Sequence, residues 1–231
     1  SSALILQDLM FGMIILLSLL MAYMGGRMIA PAVAGECYKQ GINLEARVQP
    51  RLEGAIIILM SAAALFLVLS PSREITGLLV MATGVVLSVR LFRWRLWHCV
   101  HRPDLIGLAI GYGWLAIGVL LFGLALLTNH YQTAALHVIT VGAVGSLSTG
   151  VMVRIHFQRS RREFPRNPFV VLSMGSIAVA AVCRGIAGLE VADSHNYLII
   201  ASVAWSMAFL FVAKQFWPTS AEKKIKKPTE I

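Results

Sequence analysis

His137 is the residue of this sequence best placed to do chemistry. It stands in residues 132–154, QTAALHVITVGAVGSLSTGVMVR, a run long and apolar enough to cross a membrane. Arg154 closes the run, and small residues follow the histidine: Gly142, Ala143, Gly145, Ser146, Ser148, Thr149 and Gly150. Small residues on a spanning helix let a second backbone or a flat cofactor approach closely. A neutral imidazole binds iron or copper through one ring nitrogen while a partner holds the other. It also serves as a buried hydrogen-bonding group between helices, and the residue pattern alone leaves both readings open. Either way a polar group that deep needs a partner.

Other ionisable groups stand out as well. Arg184 has a planar guanidinium suited to a propionate, or to an ion pair with Asp8 or Glu190. Arg27 and Arg154 fall at expected helix ends, where capping and snorkelling compete with a ligand role. His98 and His101 are three apart around Cys99, a spacing that would share one helix face. Four nearby arginines disfavour a bound cation there. No Ser-His-Asp order, phosphate loop or paired-carboxylate pattern is present, so hydrolase and kinase chemistry have no support.

The elements that must hold these residues are apolar helices. The chain has 231 residues, 58% hydrophobic and 13% charged; soluble domains carry roughly a quarter charged residues. The sequence predicts an all-α, polytopic membrane helical bundle of about seven spans, at 4–24, 53–70, 75–92, 104–128, 132–153, 168–188 and 196–216. Residues 1–217 form the bundle and 218–231 a Lys-rich tail. The first apolar run is too long for a cleavable signal peptide and no polar mature domain follows it. The three cysteines, Cys37, Cys99 and Cys183, are far apart and imply no disulfide framework.

The net charge of +9 does not point to nucleic acid, because the basic residues lie in short connections between apolar runs. The first, third and fifth connections and the tail are rich in Lys and Arg; the second has only Arg73, and the fourth and sixth have none. This alternation predicts an N-terminus outside and a cytoplasmic C-terminus. His137 then lies about 9 Å below the outer end of its helix, at 1.5 Å per residue. Asp8, His130, Arg184 and Glu190 share that outer layer. Partners are membrane lipid and other membrane proteins.

Several segments together resemble the NnrS family. They are Gly25-Gly26-Arg27-Met28-Ile29, the Trp94/Trp97–Arg102–Pro103 connection, Gly111-Tyr112-x-Trp114-x-x-x-Gly118, and His137-x-x-Thr140-Val141-Gly142-Ala143-x-Gly145 closing on Arg154. Arg184 after a small-residue run and Trp205 with Ala208-Phe209 also match. The resemblance implies a polytopic protein of the bacterial inner (cytoplasmic) membrane, carrying haem and copper and linked to nitric oxide and nitrosative stress. It implies His137 as a metal ligand, with Arg184, Arg27 and Arg154 among the cofactor-binding residues. Usual members have about twelve spans; this chain resembles the last seven, and an outside start agrees with that. Two family histidine positions are occupied otherwise. Ala109 stands in one, and Arg159 in the other with His156 shifted nearby. These departures raise an alternative, a degenerate relative serving as an accessory subunit of a respiratory or photosynthetic membrane complex.

Overall fold

A computed structural model describes residues 2–44, 48–69, 72–160, 168–189 and 193–217. The described residues are helical with short connections. In lipid each backbone polar group must be satisfied within its own segment, which an apolar chain achieves as helices. The helices are α1 (Ser2–Lys39), α2 (Pro50–Leu69), α3 (Arg73–Arg93), α4 (Pro103–Thr128), α5 (Gln132–His137), α6 (Gly145–Ser160), α7 (Pro168–Ala187) and α8 (Ser194–Phe216). A π-helix, Val138–Val144, joins α5 to α6, so these three pieces make one continuous span. Seven helices are long and apolar enough to cross a membrane.

The first helix differs from the expected span. It runs on past Gly25 and Gly26, through Pro31, to Lys39. Its 38 residues reach about 57 Å at 1.5 Å per residue, nearly twice the ~30 Å hydrocarbon core. Arg27 therefore lies inside a helix and not at its end. The glycine pair is used for packing rather than for termination: Tyr112 lies against Gly25 and Arg90 against Gly26.

Helix α4 is the hub. Leu105, Leu108, Tyr112, Leu115, Val119, Phe122 and Leu126 along it are all buried. Its Gly123 meets the backbone of α3 at Met81, where a Cβ would lie 2.5 Å from the amide nitrogen, which lets these two helices touch. Gly107 and Gly111, the G-x-x-x-G pair, mark close packing against Met174 of α7 and against Ser146 and Leu147 of α6. The structure arranges α2, α3 and α4 as one packed run, α7 with α8 as another, and the α5–α6 span between α4 and α7.

The bundle has two ends. One, called here the basic end, carries the connections after α1 and α3 and the C-terminus of α6. The other carries the turns after α2, α4 and α7.

Candidate functional site

His137 is the last residue of α5, and the π-helix begins at the next residue. The apolar pattern predicts an unbroken α-helix here; the structure has seven residues of π-helix instead. A π-turn holds one more residue per turn and so re-aims the side chains on either side of it. Such turns recur at functional sites. Gly185 and Gly188 bring α7 against this segment: a Cβ on Gly188 would lie 2.7 Å from Ala134 Cα. That close approach brings Arg184 within electrostatic reach of His137.

His137 and Arg184 are both half-buried, and the guanidinium lies within electrostatic reach of the imidazole. Among the described residues neither side chain has a hydrogen-bond or ion-pair partner. Arg184 opens onto a cavity of about 300 Å³ shared with Val141, Ser202, Trp205 and Ser206. Both serine hydroxyls donate to carbonyls of their own helix, Ser202 to Leu198 at 2.8 Å and Ser206 to Ser202 at 2.9 Å. The guanidinium is thus the charged group of that cavity.

The expected outer layer divides laterally. Asp8 pairs with Arg73 at 3.1 Å rather than with Arg184, and Arg73 also reaches Asn129 at 3.4 Å. Gln7 and Gln132 join this cluster through a 3.2 Å bond. His130 lies on an exposed turn, and His195 is exposed at the start of α8. Glu190 lies outside the described residues.

The small residues after His137 are already occupied. A Cβ on Gly142 would lie 3.0 Å from the Trp114 indole, and one on Gly145 would lie 2.8 Å from the Trp205 ring. Thr140, Ser148 and Thr149 donate their hydroxyls to carbonyls of the same helix. The flat groups seated on this face are two tryptophans.

The basic end holds the denser charge networks, and sequence reasoning missed them. Asp104 is buried and accepts two bonds from Arg102, from Nε and Nη2, both at 2.9 Å. It also pairs with Arg154. Arg102 Nη1 donates to Glu36 at 2.7 Å, and His101 Nε2 meets the other oxygen of Glu36 at 2.9 Å. Arg154 therefore does not snorkel; it is 8% exposed and ties α6 to α4. Arg27 lies apart from it, exposed, and bonded to Tyr23 Oη at 2.7 Å. A second network centres on Arg90, 2% exposed, which bonds Glu53, Tyr112 Oη at 3.3 Å and the carbonyl of Ala22 at 3.2 Å. The sequence signal for this network was the Gly25-Gly26 pair. Tyr112 packs on Gly25, and the Arg90 guanidinium packs on Gly26.

His98 and His101 do not form a metal pair. His101 is engaged by Glu36, and His98 lies against the Trp97 ring, 5.9 Å between centroids. Cys99 and Cys37 are buried side by side, and burial together with Cys37 pushes the Cys99 thiol up to about 11. The shifted histidine, His156, packs edge-on against Phe216 at 4.6 Å. Among the described residues no three His, Cys, Asp or Glu side chains converge to hold a metal.

A family model described as "NnrS protein" matches residues 2–224. The chain belongs to the NnrS family. No curated protein and no solved structure matches it. Seven apolar helices make this NnrS protein a multi-pass membrane protein in contact with lipid. Of the four residues to which the resemblance gave a cofactor role, His137 and Arg184 lie within electrostatic reach of each other. The structure sets Arg154 in the Asp104 network and leaves Arg27 exposed on α1.

Proposed function

We propose that this NnrS-family membrane protein binds haem at His137 and acts in nitric-oxide or nitrosative-stress metabolism. One observation carries the reading. A histidine and an arginine within electrostatic reach of each other stand in spanning helices without a hydrogen-bond or ion-pair partner among the described residues. Intramembrane ionisable groups are paired as a rule, so an unpaired pair calls for a ligand. The donor set suits a haem: His137 would offer a ring nitrogen to the iron and Arg184 would meet a propionate. It does not fit a copper centre of several ligands, because no such group converges among the described residues. When bound, haem iron would supply a redox-active position for a small oxide of nitrogen. The residues themselves do the holding: His137 offers one ring nitrogen, Arg184 neutralises an anionic group, and the surrounding helices exclude water. The location supported by this reading is the bacterial inner membrane.

An optical spectrum of the purified protein, oxidised and reduced, tests the proposal. A Soret band in proportion to protein is expected, lost or shifted in His137→Ala and weakened in Arg184→Gln. His130→Ala, on the exposed turn, should leave it unchanged. A wild type without the band, or a band indifferent to His137→Ala, would overturn the assignment.

A second reading is favoured by the tryptophans on Gly142 and Gly145, which fill the seats otherwise open to a flat group. In it the chain is an accessory subunit of a larger membrane complex. That reading predicts no Soret band and co-migration with other subunits on native gels.

A further inference from the structure

The connection between α3 and α4 builds a surface that the haem proposal does not use. From Ile106 to Ile117, α4 is flanked by an apolar groove of about 490 Å³, floored by the small residues Ala109 and Gly113. The eleven helical rises from Ile106 to Ile117 span about 16 Å, roughly half of a ~30 Å hydrocarbon core and so the depth of one leaflet. Phe92 and Trp97 stand at its mouth in ring contact, 5.3 Å between centroids, and are 72% and 51% exposed. Exposed aromatics at a helix end mark the lipid headgroup layer.

Two cations stand at that layer. Arg93 and Arg95 are exposed, and neither side chain has a partner among the described residues. The 90–103 stretch contains no acid to neutralise them. Arg95 is held in the left-handed region at φ 50°, which non-glycine residues seldom adopt. A second cleft of about 620 Å³ lies at the opposite end of the bundle, and no Lys or Arg is among the residues lining either cleft. Arg93 and Arg95 are the chain neighbours of Phe92 and Leu96, which line the first cleft.

We propose that this groove is a binding site for an anionic phospholipid. One acyl chain lies along Ala109 and Gly113, Phe92 and Trp97 bracket the glycerol region, and Arg93 and Arg95 hold the phosphate. Basic residues beside an intramembrane cleft favour anionic headgroups, and the contact weakens with salt. The site is independent of any haem.

Quenching of tryptophan fluorescence by lipids with brominated acyl chains tests it, since Trp97 lies at the mouth and Trp114 at the deep end. The full chain is used in detergent, in a Trp217→Phe background because Trp217 is exposed. Brominated phosphatidylglycerol should quench at about 30-fold lower concentration than brominated phosphatidylcholine, about fivefold per arginine. Arg93→Gln with Arg95→Gln should erase that preference, and Ala109→Phe should weaken quenching by both lipids. Both arginines are exposed and unpartnered, so the double variant should keep its elution profile. Equal quenching by the two lipids would overturn the proposal, as would a preference that survives the double variant. Displacement by glycerol phosphate as effective as by the whole lipid would show a phosphate site without an acyl chain, and so would shielding of Trp97 by a co-purifying protein show a protein interface.

Discussion

The Arg90 guanidinium rests directly on the backbone of Gly26, so closely that a Cβ there would lie 2.2 Å from Nη2. The guanidinium is the end of a flexible side chain, but Glu53, Tyr112 and the Ala22 carbonyl pin it in place. A long helix that continues through two glycines, and an arginine buried between three helices, are thus one arrangement.

Gly26→Ala should destabilise the bundle by about 1–3 kcal/mol, the usual cost of overpacking a fixed site. Gly12→Ala is the control, because nothing lies within 4 Å of a Cβ there. Thermal unfolding in detergent, followed by size exclusion, separates the two. A melting curve for Gly26→Ala no lower than that of Gly12→Ala would mean that Arg90 relocates freely.

Asp104→Asn leaves Arg102 and Arg154 facing a neutral amide in a buried site. Removing one partner from a buried ion pair costs about 3–5 kcal/mol, because the remaining charge stays desolvated. Asp104→Asn combined with Arg154→Met should recover part of that loss. Equal melting temperatures for the single and double variants would show that the two residues are not coupled.

Cys99 should resist alkylation. Its thiol is raised from 9.0 to about 11, so at pH 8 its thiolate population falls about 100-fold below that of an ordinary thiol. Since the raised value belongs to the folded state, which holds the proton more tightly, the stabilisation is complete below pH 9. It declines as pH rises toward 11. Mass mapping after maleimide treatment at pH 8 should find Cys183, which is half-buried, modified before Cys37 or Cys99. Early labelling of Cys99 would contradict its burial.

The alternation of basic connections predicts which end of the bundle faces the cytoplasm. A cysteine placed at Asn129 should react with an impermeant reagent in intact cells, and one at Ser160 should not. The reverse result would invert the orientation and place His137 and Arg184 near the cytoplasmic surface.

Hydropathy alone was enough for the helices, their number and most of their limits, because a chain in lipid has no way to satisfy its backbone except within each segment. It failed at α1, where glycines read as a helix end. Their role was to admit Arg90 and Tyr112, which lie 64 and 87 residues beyond Gly26 and Gly25 in the chain. The chemical character of His137 and Arg184 was also legible, because an ionisable group in an apolar run stands out.

What the tertiary structure decided was pairing. Arg90, Arg102 and Arg154 count as connection charges in a sequence pass, yet each is buried. The partner of Arg154 is Asp104, fifty residues away. Which carboxylate meets which guanidinium depends on the rotation of each helix about its axis, and that is set by side-chain packing on both neighbours at once. The same dependence put tryptophans on Gly142 and Gly145 and inserted the π-helix after His137. A periodic run of apolar residues has similar hydropathy in either winding, so only contact with α4 and α7 distinguishes them.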